Sequence, residues 1–378
     1  SNMRRVILVR PRAEGGLLAH VREEACVLAL SGVHVVDAGE NPRGSDASPH
    51  ADELGVQYRH LAIASGASPL AALRARRALR AIVREESRRA QGESLTIHAH
   101  GARAGAIAAL ALTLGYRSRV RLVTTLHNRM PQAGVGALIG RLLFSLASRR
   151  SELVLAVSPD LAEAAKRSGA RTVERAIIPA PRAVVESAQK PQQHETLEIV
   201  CIARLAPQKD LACLCEAVRI VEERHPGALH VRIAGEGPER ISLISRIARE
   251  RLPIELLGRV GDVRALMRES DLVVQTSAWE GQPVALQEAI REGAAVIATD
   301  AGGTRWVTGE KIPLVAPGDA RALAERLIEL LPSSPGARER LEHMREASRV
   351  RTAELPTERD LRAQLESALF TDAREEKK

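Results

Sequence analysis

Two carboxylates stand eight positions apart in Glu280-Gly-Gln-Pro-Val-Ala-Leu-Gln-Glu288. Upstream, Cys201-Ile-Ala-Arg-Leu-Ala-Pro-Gln-Lys209-Asp places Arg204 and Lys209 five residues apart, just after a strand-like run. Downstream, Thr299-Asp-Ala-Gly-Gly-Thr304 ends another strand in a glycine turn at Gly302-Gly303. An arginine bridges two phosphate oxygens bidentately and a lysine supplies a point charge. Ionised carboxylates accept hydrogen bonds from neighbouring hydroxyls. These residue types describe a site that grips a diphosphate with cations and a sugar–ribose pair with carboxylates. Cations in this role substitute for a divalent metal, so no metal is expected.

Positioning such groups requires strand ends and the helices that follow them. Short β-branched runs alternate with longer helical patterns throughout, the grammar of parallel sheets with crossover helices. Strands are expected at Arg5–Val9, His34–Val36, Leu61–Ala64, Leu95–Ile97, Val120–Thr124 and Leu153–Ala156. After the loop Glu14-Gly-Gly16, a helix is expected from Leu17 to Ser31. The pattern restarts with strands at Leu197–Ile202, His230–Ile233, Ile254–Leu257, Leu272–Gln275 and Ala295–Ala298, and a helix over Leu211–Arg224. Pro283 suits the first turn of a helix running through Arg291. Between the halves, Ser187–Glu195 is polar and without periodicity, and reads as a linker.

Length and composition agree. A chain of 378 residues exceeds what one core usually supports. No apolar run reaches the length of a membrane span; the longest surrounds Ala104–Leu114. Ser1-Asn2-Met3 reads as a tag remnant, with no secretory apolar segment behind it. Cys26, Cys201, Cys213 and Cys215 lack metal or redox spacing and read as reduced core thiols of a cytosolic protein. The net charge of +8 has its densest cluster in Arg74, Arg76, Arg77 and Arg80, continuing through Arg84, Arg88 and Arg89. It reads first as a solvated helix face, with an anionic membrane surface as the competing reading. Nucleic acid is not an expected partner, because aromatic residues are only 2% of the chain and stacking platforms are scarce.

The ordered series Arg204…Lys209, Gly235-Glu-Gly237, Glu280…Glu288 and Gly302-Gly303 resembles the retaining, nucleotide-sugar-dependent glycosyltransferases of the GT-B fold, the large "group 1" family (family 4). The resemblance is strongest over 197–330 and thinner over 4–180. It implies an α/β chain of two Rossmann-like parallel-sheet domains facing across a cleft, with a C-terminal helix crossing back to the N-terminal domain. The expected division is 3–186 for the N-terminal acceptor-side domain, 187–195 for the linker and 196–350 for the donor domain. A crossover helix over 351–370, with Thr357 as its N-cap, and a frayed tail over 371–378 complete it.

From the resemblance, Glu280 belongs by the donor sugar and Glu288 on the ribose. Gly302 and Gly303 would allow backbone N–H groups to approach the donor, while Gly258-Arg259-Val260 would meet the base. Gly235 and Gly237 read as a tight turn rather than a binding element. Gly15-Gly16 resembles the loop whose backbone approaches the diphosphate and acceptor, with Gly16 the stronger candidate. His127, in Thr124-Thr-Leu-His-Asn128, matches a histidine near the reacting sugar, able to hydrogen-bond it or move a proton. His98 and His100 share one face of a strand by alternation. With no third ligand evident they read as structural or acceptor-side groups rather than a metal site.

Three positions depart from the family pattern: Asp210 replaces the common glycine, Ile177-Ile-Pro-Ala-Pro181 replaces a Pro-Asn-Gly turn, and Trp306 stands where a glutamate is usual. The last points to altered donor-sugar contacts. The implied activity is transfer of a sugar from a nucleotide-diphosphate sugar to an acceptor, with retention and without cofactor. The expected setting is cell-envelope glycan, glycolipid or glycosylated-metabolite synthesis, cytoplasmic or at the inner membrane face. The loops Asn41–Gly55 and Arg129–Gly140 are the expected acceptor determinants, a lipid-linked acceptor among the possibilities. A noncatalytic nucleotide-sugar-binding subunit and another GT-B enzyme, such as an epimerase, are the alternatives.

Overall fold

The computed structural model describes residues 3–13, 15–41, 52–66, 68–117, 119–129, 133–181 and 194–370. The chain forms two compact units, one of Ser1–Ile178 with Pro356–Lys378 and one of Pro179–Leu355. The chain thus leaves the first unit within Ile177-Ile-Pro-Ala-Pro181, upstream of the expected linker, of which 187–193 fall outside the described residues.

The strands of the first unit are β1 (Arg5–Val9), β2 (His34–Gly39), β3 (Gln57–His60), β4 (Leu95–His100), β5 (Val120–Leu126), β6 (Leu153–Ala156) and β7 (Val173–Arg175). They form a parallel sheet in the order β3-β2-β1-β4-β5-β6-β7. One face packs through Ile7, Val9, Val36, Ala38, Ile97, Ala99 and Leu122 onto the helices Pro69–Ala90 and Ala102–Leu112. Alternation turns Thr96, His98 and His100 to the opposite face. There Thr96 Oγ1 donates to Leu369 O (2.8 Å) of the helix Glu358–Phe370.

The second unit contains β8 (Leu197–Ile202), β9 (Leu229–Ala234), β10 (Ile254–Gly258), β11 (Leu272–Gln275), β12 (Val296–Thr299) and β13 (Leu314–Val315). These too are parallel, in the order β10-β9-β8-β11-β12-β13. Both faces are covered: Ile199, Val231, Val274 and Ile297 belong to one core cluster, and Val200, Val273, Val296 and Ala298 to another. Burial on both sides explains the near-continuous apolar runs of its strands.

Differences from the sequence reading have local causes. The strand expected at Leu61–Ala64 is displaced to Gln57–His60. Leu61 and Ile63 are buried just beyond the strand end, so their apolarity reported burial and not pairing. β7 and β13 lie at sheet edges and are only three and two residues long, too short for a periodic signal. The first helix, α1 (Gly15–Leu30), begins two residues before the expected Leu17 and so absorbs both glycines of the expected loop. The second half of Arg129–Gly140 is likewise helical, within Val135–Arg150. Pro283 precedes its helix, Val284–Arg291, as N-cap. Most of Asn41–Gly55 and all of 371–378 lie outside the described residues.

The chain's last helix completes the first unit. Thr357 and Asp360 cap it reciprocally, Thr357 N donating to Asp360 Oδ2 (2.8 Å) and Asp360 N to Thr357 Oγ1 (3.3 Å). Arg121 Nε donates to the terminal carbonyl of Ala368 (2.9 Å), and Ile177 N to Gln364 Oε1 (2.8 Å). Where this helix begins it faces α1, and burial together with the Glu358 carboxylate pushes Glu23 up to about 7. A folded-state value raised above the ordinary 4.5 favours the protonated acid, so stability present below that range is lost as pH rises towards 7. Glu23→Gln is therefore expected to raise the thermal midpoint at pH 8 and leave it nearly unchanged at pH 4.5, as calorimetry at both pH values would read.

Candidate functional site

In each sheet the strand order reverses beside one central strand, between β1 and β4 and between β8 and β11. Such a switch point opens a crevice at the carboxyl ends of two neighbouring strands. In the second unit those ends lead into the two segments singled out above. β8 runs into Ala203–Asp210 and β11 into Thr276–Glu280. Backbone contacts hold the segments side by side: Ala278 N donates to Gln208 O (2.9 Å), and Thr276 Oγ1 to the carbonyls of Lys209 and Asp210 (3.2 Å each). Lys209 Nζ thereby reaches Glu280 Oε1 at 2.5 Å, and Ser277 Oγ donates to the same oxygen at 2.6 Å. The Glu280 side chain is 8% exposed and that of Lys209 26%. Arg204 is exposed, its guanidinium without a hydrogen-bond or ion-pair partner among the described residues.

Asp210 has left-handed backbone, φ 44°, which explains why a glycine would suit its place. Its carboxylate caps the following helix by accepting from Cys213 N (3.2 Å). Capping thus offsets the conformational cost and keeps the turn intact. Glu288 lies on the helix Val284–Arg291, where Arg264 Nε donates to its Oε2 (3.3 Å). Burial raises the Glu288 pKa, with Arg264 opposing the shift. Arg264 also donates to Pro181 O (2.7 Å); the sequence reading missed it because nothing local marks it out from its neighbour Arg268.

The glycines divide by purpose. Gly302 has φ +55°, and a Cβ there would stand 2.0 Å from Glu280 O. Gly303 N donates to that same carbonyl (2.9 Å). The Gly-Gly turn therefore clamps the Glu280 loop, and the Gly303 N–H is spent on that clamp. Gly235 and Gly237 pack against the carbonyls of Ala203 and Leu205, where a Cβ would stand 1.8 and 2.4 Å away, so they set the path of the Arg204 loop. Gly258 O accepts from Gly235 N (2.8 Å), Arg259 is exposed and Val260 half-buried. Gly15 and Gly16 form the start of α1, and at Gly16 a Cβ would meet nothing within 4 Å.

At the switch point of the first unit, buried side chains converge from α1, β4 and the end of β5. Glu24, wholly buried, is ion-paired with His98 Nδ1 and with His100 Nε2, the latter at 2.8 Å. His98 Nε2 meets Thr125 Oγ1 (2.7 Å) and His100 Nδ1 meets His127 Nε2 (2.9 Å). Burial alone would raise the Glu24 pKa, but His98 and His100 together hold it well below the carboxylate range. Burial and the neighbouring rings lower His20 to about 4 and His127 well below its ordinary value. The rings of His20 and His127 are thus neutral. His98 and His100 are built into the interior around Glu24, and His20 joins them where the sequence offered no third ligand beside the two histidines. His20 and Glu24 were missed: their i, i+4 spacing was legible, but nothing distinguished Glu24 from Glu23.

The arginine cluster is only partly solvated. Arg76 Nε donates to Leu110 O (3.0 Å), and Arg80 to the carbonyls of Ala111 (2.9 Å), Thr113 (2.6 Å) and Leu114 (2.9 Å). Both neutralise the carbonyl end of the helix Ala102–Leu112. Arg74, Arg77, Arg84 and Arg88 remain exposed. Burial pushes the Cys201 thiol up to about 12 and those of Cys213 and Cys215 to about 11, which makes them inert.

Residues 196–333 match the model of the family "Glycosyl transferases group 1", and residues 15–181 that of the "Glycosyl transferase 4-like domain". The chain is 35% identical over 167 residues to the putative colanic acid biosynthesis glycosyltransferase WcaL of Escherichia coli, covering 39% of this chain and 41% of WcaL. It is 28% identical over 252 residues to the putative teichuronic acid biosynthesis glycosyltransferase TuaC of Bacillus subtilis, covering 61% and 60%. The chain thus spans less than two thirds of the length of these relatives. Its fold is that of the Anabaena protein HepE, solved in complex with UDP, with a TM-score of 0.73 over 96% of this chain and 98% of HepE at 17% identity.

The clamp on the Glu280 loop can be tested directly. Left-handed backbone alone costs an alanine about 1–2 kcal/mol. Gly318, at φ +77° with nothing within 4 Å, isolates that cost. Gly302→Ala is expected to lower the thermal midpoint clearly further than Gly318→Ala, the excess measuring the overlap with Glu280 O.

Proposed function

This chain belongs to the group 1 glycosyl transferases, and we propose that it transfers a sugar, with retention of configuration, from a nucleotide-diphosphate sugar to an acceptor. The observation that carries the reading is the meeting of Lys209 and Glu280 at the switch point of the second unit, with Arg204 exposed and without a partner among the described residues on the same loop. Cleaving the anomeric bond builds negative charge on the departing diphosphate and positive charge on the sugar ring. In this reading Arg204 and Lys209 neutralise the diphosphate, so the step proceeds without a divalent metal at that position. Lys209 is held by Glu280 until the phosphates arrive, and Glu280 is then released to accept from the sugar hydroxyls. Glu288 takes the ribose, and Gly258-Arg259-Val260 borders the base. Trp306, half-buried next to the Gly-Gly turn, gives the sugar an apolar edge where a carboxylate is usual.

In the first unit, Gly16 contributes open backbone in the first turn of α1, with Gly15 before it. His127 is assigned to the reacting sugar; His100 holds its Nε2, so Nδ1 is the atom left to serve it. The leaving phosphate takes the acceptor's proton in a same-face attack, and no enzyme nucleophile is needed. UDP is the first base to try, since HepE is solved with UDP and with UDP-glucose. The relatives' names point to a bacterial surface polysaccharide as the setting. A lipid-linked acceptor at an anionic membrane is supported by exposed Arg74 and Arg77, and by Val135, Leu138 and Leu142 on one face of their helix. Among the described residues no helix is long and apolar enough to cross a membrane.

Thermal unfolding with UDP, GDP, ADP and TDP, metal chelated, tests the donor site. A nucleotide at 100 times its Kd stabilises its target by about 2.7 kcal/mol. One of the four is expected to raise the midpoint of the wild type and not that of Lys209→Ala. Glu280→Gln is expected to keep the nucleotide response while losing at least about 100-fold in sugar transfer. No response to any nucleotide would overturn the donor-site reading; binding without transfer in the wild type would favour a noncatalytic sugar-nucleotide-binding subunit. Gly16→Ala, which the fold tolerates, is expected to melt like the wild type yet transfer sugar more slowly.

A further inference from the structure

We propose that His20, Glu24 and His100 form a binding site for one divalent transition-metal ion, zinc by its donor set. The site lies within the first unit and does not rest on the transfer reading. Each residue offers one ligand atom, and these atoms lie within 4.8 Å of one another. His20 Nδ1, Glu24 Oε2 and His100 Nε2 are buried and make no well-directed hydrogen bond among the described residues. His100 Nε2 and Glu24 Oε2 stand 2.8 Å apart in an ion-pair contact rather than a well-directed hydrogen bond. Three buried ligand-type atoms gathered in one place are an arrangement that a cation resolves.

The opposite atoms of two of these groups are held. Glu24 Oε1 accepts from His98 Nδ1, and His98 is in turn fixed by Thr125. His100 Nδ1 is bound to His127 Nε2 (2.9 Å). Metal ligands carry this kind of outer support, which sets the ring orientation and the tautomer. Placement follows from the topology: one helical turn separates His20 from Glu24 on α1, and β4 brings His100 beside β1, whose continuation is α1. Two imidazoles and a carboxylate suit zinc and leave a fourth position for water or an exchangeable ligand. His20, 9% exposed against 0% for the other two, lies nearest to solvent. Glu24 makes ion pairs only with histidines among the described residues, so a cation would also balance its buried charge. The metal on His100 Nε2 would place that ring's proton on Nδ1, directed at His127.

Chelator-treated protein titrated with Zn2+ against a chromophoric competitor is expected to bind one equivalent and to melt higher when loaded. Co2+ in its place is expected to give tetrahedral d–d absorption without the thiolate charge-transfer band that cysteine ligation produces. His20→Gln, shown to be folded by circular dichroism, is expected to weaken zinc at least about 100-fold, more than loss of an outer partner usually costs. A wild type that binds no zinc, a thiolate band from Co2+, or undiminished affinity in folded His20→Gln would each overturn the site and leave a closed histidine–glutamate network. Should His20→Gln not fold, the Co2+ spectrum of the wild type decides the question alone.

Discussion

The parallel pairing of β8 with β11, Leu272 against Ile199 and Val273 against Val200, is the constraint on which the candidate donor site depends. These strands are far apart in the sequence and become neighbours only because the sheet grows outward in both directions from β8. Their carboxyl ends then deliver two loops to one place, one carrying Arg204 and Lys209 and the other Ser277 and Glu280. Every other contact of the site refines this meeting. The glycines at 235 and 237 let the first loop lie against its neighbours, and the turn at 302–303 clamps the second.

Charge then follows geometry. A carboxylate as buried as Glu280 is tolerated because Lys209 and Ser277 both donate to it. Removing one partner of a fully buried ion pair costs about 3–5 kcal/mol. Lys209 is a quarter exposed, so its pair with Glu280 is weaker than that. The first unit shows the opposite balance. Among the described residues Glu24 pairs only with histidines, so the same topology yields a deep polar cluster rather than an open one.

The lysine–carboxylate centre was largely legible in the chain, because its motifs are local: a cation pair after one strand, an acid after another, a glycine turn after a third. Asp210 shows a limit of such reading. The chain shows only that it departs from the common glycine, whereas the residue carries left-handed backbone and caps a helix in the same turn. Arg76 and Arg80 show another. Their spacing suggested a solvated face, but the carbonyls they neutralise belong to a different helix some 30 residues away in the chain.

By itself the sequence determined the alternation of strands and helices, the division into two parallel-sheet units, the closing helix with its Thr357 cap, and the residue types of the candidate donor site. Those features are encoded within a few consecutive residues, by periodicity, capping and turn chemistry. Only the tertiary structure decided that Gly303 spends its N–H on Glu280, that Arg264 holds Glu288, and that His20 and Glu24 join His100. Each of these depends on contacts between segments whose relative register is set by sheet order. No local pattern specifies that order, because burial makes a central strand's sequence much the same whichever neighbour it pairs with.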